Sequence, residues 1–567
     1  MIHYQFHCKS PHKHFISIEL TVESKNKASL IFQLPAWRPG RYELANFSKN
    51  IKSFHAFDEN NSPLQFEKVT KDAWQVFCED ASAVTLKYTY YANVLDAGSS
   101  YLDEQQLYVN PVNCCMYVVG RENERCCLTL NIPDNFQVAC GLKRNSSGQL
   151  IAENFDQLAE SPLIASSDLM HDEYCIDNIS FHLWIQGKCN PDFEKVKQDF
   201  IAFTKTQIEH FDSFPVQDYH FLFQITPYKS YHGVEHTNST VILMGNNVDV
   251  FESMYDNILG ICSHELYHTW NIKAVRPKTM LPYDYTQENY SRLGYVAEGV
   301  TTYMGDLMLK KSKVFGWEKF LKTQNDNLKR HFENEGRHNM SLADSAFDTW
   351  LDGYQLGIPN KKTSIYADGA LCMLMIDLFI IDNTKGKQSL STIMNKLYVD
   401  YRHHGYTEND FIGECLKLGG ETVNIIFKEH IYGTRDYTAS LKKALSVVGI
   451  DLVEKQNPSI TAQQFGFFST IENGKHIIKK VQDNSISDLN KVVVGDEILT
   501  INNIDVSGKQ LDEVLNQRQK KISMQIKKRF KTLTVNLNAG NYYPIFVMKL
   551  NEKPSEKQSI YRKIWAN

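Results

Sequence analysis

The stretch Ser-His-Glu-Leu-Tyr-His-Thr-Trp at residues 263–270 decides how the centre of this chain folds and what chemistry it can carry. His264 and His268 are four residues apart, so an α-helix places both imidazoles on one face, where they can hold one metal ion. Glu265 lies one step round that helix and is placed to take a proton from water rather than to ligate. A lone match to this pattern also occurs by chance on solvated helix faces, so the surrounding sequence must decide.

A third candidate ligand, Glu298, follows thirty residues after His268 in Val-Ala-Glu-Gly-Val-Thr-Thr-Tyr at 296–303. Apolar residues recur there at helical spacing and predict a stripe that faces away from Glu298, made of Leu293, Val296, Val300, Tyr303 and Leu307. Thr302 and Asp306 follow on the same helix and either orient a ligand from the outer shell or are solvated.

Two imidazoles and one carboxylate leave the fourth position of a zinc ion open, as catalytic zinc requires. The sequence therefore predicts one Zn²⁺ held by His264, His268 and Glu298. Glu265 is the predicted general base, and peptide hydrolysis is the natural reaction for such a site.

Length and composition describe an ordinary globular protein of several domains. At 567 residues the chain is too long for one core and predicts roughly three or four domains. The net charge of −5 neither recruits nucleic acid nor forbids it, and neither nucleic acid nor membrane is a predicted partner.

The predicted location is the cytoplasm. The N-terminus lacks the basic patch and apolar run of a secretory signal. The longest apolar run, residues 369–381, contains Asp377 and is too short to cross a bilayer, so it predicts a buried helix. The twelve cysteines show no zinc-finger spacing and are predicted to be reduced thiols.

Hydrophobic periodicity divides the chain into an α+β series. Residues 1–180 contain alternating, β-branched and aromatic segments such as Phe-Ile-Ser-Ile-Glu-Leu-Thr-Val at 15–22, which predict an all-β domain. Residues 193–211 then predict a helix, and residues 219–225 and 240–244 predict buried strands. Helical patterns dominate from there to about residue 450. Asn247 and Asp249 are the predicted caps of the helix that carries the histidines.

Several further segments resemble one known family, the glycyl aminopeptidases, which are PDZ-bearing relatives of the larger gluzincin aminopeptidases. The resemblance covers nearly the whole chain and rests on Leu-Pro-Ala-Trp-Arg-Pro-Gly-Arg-Tyr at 34–42, Tyr-Leu-Asp at 101–103, Tyr-His-Gly-Val-Glu-His-Thr-Asn-Ser at 231–239 and Asn-Ile-Lys-Ala-Val-Arg-Pro at 271–277. It implies a thermolysin-like zinc peptidase domain at 181–340 and a helical domain at 341–455. It also implies removal of N-terminal residues, Gly or Ala, from peptide substrates.

The resemblance assigns two more site residues. Glu235 stands where related aminopeptidases offer a glutamate to the free α-amine of the substrate; taken alone, it would be an ordinary surface charge. Tyr366 stands where they have a tyrosine that donates a hydrogen bond to the oxyanion; taken alone, it would pack at the start of a helix. Asp368 occupies the position of a lysine in the family pattern.

The C-terminal part of the chain resembles a PDZ domain at 456–545, followed by a tail at 546–567. Gln-Phe-Gly-Phe-Phe at 464–468 and Val-Gly-Asp-Glu-Ile-Leu-Thr-Ile-Asn-Asn at 494–503 carry this likeness, whereas residues 485–494 depart from the usual pattern. Such a domain implies binding of a peptide C-terminus or self-association. Two other functions stay open: a zinc endopeptidase, which would not need Glu235, and a non-catalytic PDZ scaffold with a vestigial site.

Overall fold

The computed structural model of the chain describes residues 1–246, 248–353, 357–515 and 519–567. Asn247, one of the two predicted caps, lies outside the described residues. Across the part of the chain that is described, no helix is both long and apolar enough to span a membrane. All twelve cysteines are free.

The N-terminal region is rich in β-structure, as predicted. In β2 and β7, defined below, every second residue is buried, which is the pattern expected when one face of a sheet covers a core. The strands form sheets in the orders β13-β14-β11-β1-β2-β7-β4, β10-β3-β6-β5 and β12-β15-β9-β8. Their bounds are β1 Ile2–His7, β2 Phe15–Glu23, β3 Ser29–Gln33, β4 Ile51–Phe57, β5 Phe66–Thr70, β6 Ala73–Phe77, β7 Ala83–Tyr91, β8 Tyr101–Leu102, β9 Gln106–Val109, β10 Tyr117–Val118, β11 Cys126–Asn131, β12 Gln137–Cys140, β13 Lys143–Arg144, β14 Leu150–Ala152 and β15 Leu163–Ser166, with short helices α1 Pro111–Cys114 and α2 Phe155–Ala159.

A five-stranded mixed sheet follows and supports the metal-binding segments. Its order is β16-β17-β18-β20-β19, so β16 and β19 are its two edges. The strands at 219–225 and 240–244 and the helix at 193–211 are confirmed. The elements are β16 Met170–Ile176, β17 Ile179–Gln186, α3 Phe193–Phe211, β18 Asp218–Thr226, β19 Ser230–Glu235 and β20 Ser239–Gly245.

Helices make up most of the next two hundred residues. The apolar run at 369–381 lies inside α10, whose residues from Ala367 to Ile381 are all buried, so the predicted core helix is confirmed. The helices are α4 Val250–Ser253, α5 Tyr255–Tyr267, α6 Thr301–Lys311, α7 Trp317–Phe332, α8 Leu342–Phe347, α9 Thr349–Asp352, α10 Ala367–Asn383, α11 Leu390–Tyr401, α12 Glu408–Ile426 and α13 Thr438–Val447, with π-helical turns at Tyr295–Val300 and Phe427–Ile431.

The helix of the two histidines begins later than its predicted caps. Asp249 precedes the short α4, and its side chain makes no capping hydrogen bond there. The backbone then leaves helical geometry at Met254 (φ −120°, ψ 20°), and α5 starts at Tyr255. The prediction of Asp249 as the cap is therefore wrong, because a separate helical turn comes between.

The C-terminal part contains a second β-rich unit with its own hydrophobic core. Its sheet has the order β22-β23-β24-β26-β27, and β25 pairs with β24. Residues 485–494, which depart from the family pattern, include the helix α14 with Ser485 as its cap. The elements are β21 Ile450–Lys455, β22 Phe467–Glu472, β23 Lys475–Val481, α14 Ile486–Leu489, β24 Glu497–Ile501, β25 Ile504–Asp505, α15 Leu511–Val514, β26 Lys521–Lys528, β27 Lys531–Asn538, β28 Ile545–Leu550 and α16 Glu556–Ala566.

Residues 546–567, predicted as a tail, fold back onto the helical region. β28 pairs with β21 in antiparallel register. Trp565 of α16 is buried, and its Nε1–H donates to the Tyr303 hydroxyl at 2.7 Å. A single hydrophobic core extends from Tyr174 to Ala566 and includes α5, α10 and α16. The segment is ordered because its Tyr561 and Trp565 complete this core.

Candidate active site

The three predicted metal ligands lie together between α5 and the π-helical turn Tyr295–Val300. The Nε2 atoms of His264 and His268 are 3.1 Å apart, and Glu298 Oε2 is 3.5 and 3.4 Å from them. Ligands of a tetrahedral zinc ion at 2.0–2.1 Å are separated by about 3.3–3.4 Å. Glu298 Oε2 is buried and accepts no hydrogen bond, although it faces the two imidazoles. These residues therefore fit a bound Zn²⁺.

Two glycines allow the close helix packing that brings these ligands together. A β-carbon at Gly305 would lie 3.1 Å from the Cα of His264, so α6 packs directly on α5. A β-carbon at Gly299 would lie 2.7 Å from the Cα of Gly369, which brings α10 against the turn of Glu298. Because α10 covers the turn Tyr295–Val300, every residue of this turn is buried. Glu298 is therefore enclosed by protein rather than placed on a polar helix face.

An outer shell fixes the orientation of His268. Its Nδ1 lies 3.0 Å from the carbonyl oxygen of Asn271, so Nδ1–H donates there and leaves the Nε2 lone pair directed at the centre. Thr301 Oγ1 lies 3.4 Å from the same Nδ1 and accepts from the Asn271 amide at 2.9 Å. The outer-shell threonine is thus Thr301 and not Thr302, while Asp306 accepts from Gln324 at 3.1 Å.

Asn271 and Thr301 were not predicted as site residues from the sequence. The segment at 271–277 that carries the family likeness was the available signal for Asn271, and Thr301 lies next to the threonine that was proposed.

Burial and mutual charge shift the pKa values in this centre. Burial alone would lower the pKa of His268, but the Glu298 carboxylate outweighs it and raises that pKa to about 9. Conversely, burial raises the pKa of Glu298, but the charge of His268 and the closeness of both imidazoles outweigh it and hold the pKa low. Burial raises the pKa of Glu265 to about 8, with His268 opposing and Glu235 adding to the shift. A cation is therefore strongly favoured here.

A second carboxylate lies beside Glu265. Carboxylate oxygens of Glu235 and Glu265 and a ring nitrogen of His268 all lie within 4.8 Å of one another. Glu235 ends β19, the edge strand of the five-stranded sheet. A β-carbon at Gly233 in the same strand would lie only 2.3 Å from Glu265 Oε1, so this strand passes directly over the predicted base.

Contacts from the N-terminal region complete the surroundings of Glu235, which is 5% exposed. Gly40 has φ +78°, and a β-carbon there would lie 2.5 Å from Glu235 Oε2. The buried Lys273 amino group lies 2.9 Å from Glu160 Oε2 but 3.8 Å from Glu235 Oε1. Neither Lys273 nor Glu160 was predicted as a site residue, because nothing in the sequence pairs them.

Tyr366 immediately precedes α10 and is half-buried. It lines a cavity of about 750 Å³ together with Arg330 of α7 and with Lys480 and Val494 of the C-terminal β-rich unit. Asp368 lies in the first turn of α10, where it pairs with His331 and accepts a hydrogen bond from the Ser364 N–H at 3.0 Å. Asp368 thus holds the turn that presents Tyr366.

Comparison with known proteins agrees with this geometry. The model of the Peptidase M61 N-terminal domain matches residues 3–167, and the model of the M61 glycyl aminopeptidase matches residues 257–372, which include His264, His268, Glu298 and Tyr366. The chain belongs to the M61 glycyl aminopeptidase family. It is accordingly a metallopeptidase, a hydrolase whose substrates are peptides.

A solved structure extends the likeness beyond the residues matched by the two family models. A crystal structure of an aminopeptidase N family protein from Idiomarina loihiensis is 26% identical, covers 100% of both chains and superposes with a TM-score of 0.92. An M1 zinc metallopeptidase from Deinococcus radiodurans is a more distant match, with 11% identity over 77% of this chain and 93% of its own and a TM-score of 0.45. No curated protein matches the chain.

Proposed function

We propose that this M61 peptidase is a zinc-dependent aminopeptidase that removes N-terminal residues, Gly or Ala, from peptides. The observation that carries the proposal is the position of Glu235, within 4.8 Å of both the predicted base Glu265 and the predicted ligand His268. A group that binds an α-ammonium there would place the first peptide bond of a substrate at the metal centre.

One Zn²⁺ would be held by His264, His268 and Glu298. Zinc at this position supplies Lewis acidity, which polarises a carbonyl and acidifies water. Glu265 would accept the proton of the attacking water and deliver it to the leaving amine. The Tyr366 hydroxyl would donate a hydrogen bond to the oxyanion, an interaction that is strongest in the transition state.

Glu235 would select peptides with a free N-terminus. Lys273 lies closer to Glu160 than to Glu235, so two buried carboxylates share one lysine and Glu235 keeps the capacity to bind a second cation. A substrate ammonium supplies that cation. A blocked or internal peptide bond would leave the carboxylate buried without a full partner, which is costly.

The domain assignments belong to the same proposal. The mixed sheet with α5 supports a thermolysin-like domain, predicted at 181–340, between an N-terminal β domain predicted at 1–180 and a helical domain at 341–455. Because β16 pairs with β17 in this sheet, the boundary between the first two domains is placed before residue 170 rather than at residue 180. The separate core and sheet of the C-terminal unit support a PDZ domain at 456–545. Gly466, with φ +75°, lies just before β22 in the loop that would bind a peptide C-terminus or a second copy, and its own N–H donates to the Ala462 carbonyl.

Metal analysis and hydrolysis assays on the full chain test the proposed function. We expect one zinc-dependent activity, faster on glycyl and alanyl amides than on leucyl amides, and little cleavage of an N-acetylated peptide. Cleavage of the acetylated peptide at a similar rate would favour the endopeptidase. A zinc-loaded chain without turnover on any of these peptides would favour the PDZ scaffold.

A further inference from the structure

A second group of metal-binding side chains lies on the opposite edge of the mixed sheet from Glu235. His171 and Glu173 belong to the edge strand β16, and His182 belongs to its neighbour β17. The antiparallel register places Glu173 directly opposite His182 and His171 opposite Trp184. Because alternate residues share a face, all of these side chains project from the same side of the sheet.

This face is not the one that supports the active site. Phe181 and Leu183 of β17 point into the core that contains α5, whereas His182 and Trp184 alternate with them and project to the other side. The second cluster is therefore separated from His264 and His268 by the sheet itself.

The distances in this cluster match those of a metal site. His171 Nε2 and His182 Nδ1 are 3.1 Å apart, and His182 Nδ1 is 3.3 Å from Glu173 Oε2. All three candidate ligand atoms lie within 4.8 Å of one another. Atoms bound to one tetrahedral ion are about 3.3–3.4 Å apart, so a cation fits with small side-chain adjustments.

We propose that His171, His182 and Glu173 form a second metal site, which binds a divalent transition-metal ion such as Zn²⁺, Ni²⁺ or Cu²⁺. Two imidazoles and a carboxylate suit these ions, whereas Mg²⁺ and Ca²⁺ prefer sites made of oxygen ligands. The bound ion would clamp the edge strand β16 to β17.

Neighbouring rings hold the two imidazoles in place. The Trp184 ring stacks on His171 with centroids 3.8 Å apart, and His220 stacks on His182 at 4.5 Å. Trp184 also donates its Nε1–H to His220 Nδ1 at 3.1 Å, so these neighbouring rings are linked to one another. Outer contacts of this kind orient ligands before the metal arrives.

Zinc stoichiometry of the full chain tests this second site. After equilibration with ZnCl₂ and removal of unbound metal, we expect two zinc ions per wild-type chain and one per His182→Ala chain. His12→Ala removes an exposed histidine elsewhere and is the matched control, with two ions expected. One ion in the wild type, or two in His182→Ala, would overturn the proposal.

A second measurement separates ligation from non-specific binding. Cu²⁺ added after the first site is filled with zinc should give an electron paramagnetic resonance spectrum with coupling to two imidazole nitrogens. Glu173→Gln should weaken this Cu²⁺ binding by at least roughly tenfold, the loss that even outer-shell changes cause. A spectrum without nitrogen coupling, or unchanged affinity in Glu173→Gln, would contradict the assignment. Peptidase activity should be the same in all of these variants, so failure here leaves the proposed peptidase untouched.

Discussion

The described part of the chain contains two His-His-Glu clusters with nearly equal spacing but different surroundings. In both, the nearest ring nitrogens are 3.1 Å apart and a glutamate oxygen lies 3.3 to 3.5 Å from a histidine nitrogen. The helical cluster has the carboxylates of Glu265 and Glu235 beside it, whereas the strand cluster is flanked by the rings of Trp184 and His220. The comparison separates two proposed roles: both sets of ligands would bind a metal, and the acids beside the helical cluster would make that one the catalytic centre.

Burial is the second difference between the clusters. The Glu298 side chain is 4% exposed and lies beneath α10, but the Glu173 side chain is 64% exposed. A buried ion is surrounded by protein and leaves slowly, whereas an exposed ion exchanges with solvent. The helical cluster should therefore be the tighter site.

The largest expected effect separates the two clusters by activity. Glu265→Gln should lower kcat by about 10²- to 10⁴-fold, because it removes the general base, while zinc content stays unchanged. Glu173→Gln makes the same chemical change at the strand cluster and should leave kcat unchanged. Steady-state hydrolysis of a glycyl amide with parallel metal analysis checks both, and a wild-type rate in Glu265→Gln would rule out this base.

A smaller effect is expected from the outer shell of the helical cluster. Thr301→Val removes a hydroxyl near His268 Nδ1 and should weaken catalytic zinc binding by about 10- to 100-fold. Thr302→Val is the matched control at the neighbouring position. Zinc titration monitored by recovered activity measures both variants, and equal affinities would show that Thr301 does not support the ligand.

The pH dependence of stability should differ between metal-free and zinc-loaded protein. The folded pKa of His268 is raised to about 9, so its stabilisation is full below the ordinary value and is lost as pH rises through 9. The pKa of Glu265 is raised to about 8, so the folded state also binds an excess proton that is released as pH rises. The melting temperature of chelator-treated protein should therefore fall between about pH 6.5 and 9.

Zinc replaces these protons, so the loaded protein should show a flatter profile over the same range. Melting curves recorded at matched ionic strength test this difference. A metal-free melting temperature that rises with pH would contradict the assigned charges.

The smallest effect on activity should come from mild chelation. A weak chelator should remove the ion of the exposed strand cluster first and leave peptidase activity intact, and a stronger chelator should then abolish activity. Metal content and activity followed together define the order. Loss of activity together with the first ion would contradict the expectation that the exposed strand cluster loses its ion before the helical cluster does.

Local sequence patterns were enough to predict the helices and strands around the helical cluster. Residues 193–211 and the His-Glu-x-x-His segment follow helical periodicity, and the structure contains both helices. The burial of Glu298 was not predictable in this way, because α10, from a distant part of the chain, covers its turn. The contact of Lys273 with Glu160, 113 residues apart, likewise depends on how two regions pack.

The strand cluster was not predicted from the sequence, although the chain contains a local signal for the hairpin that forms it. Asp177 and Asn178 both have positive φ and form the two-residue turn between β16 and β17. Such a turn fixes the hairpin register and places Glu173 opposite His182. Residues 546–567 offered no comparable signal. A short amphipathic helix such as α16 has the same sequence pattern whether it lies in solvent or packs against the rest of the protein.

The most direct test of the central claim compares a glycyl peptide amide with its N-acetylated form in wild-type and Glu235→Gln protein, both loaded with zinc. We predict that the wild type strongly prefers the free amine. In Glu235→Gln, this preference should fall by about 30-fold or more, the loss expected when one partner of a buried charge pair is removed. An unchanged preference in Glu235→Gln, or a wild type that cleaves both substrates equally, would contradict the account.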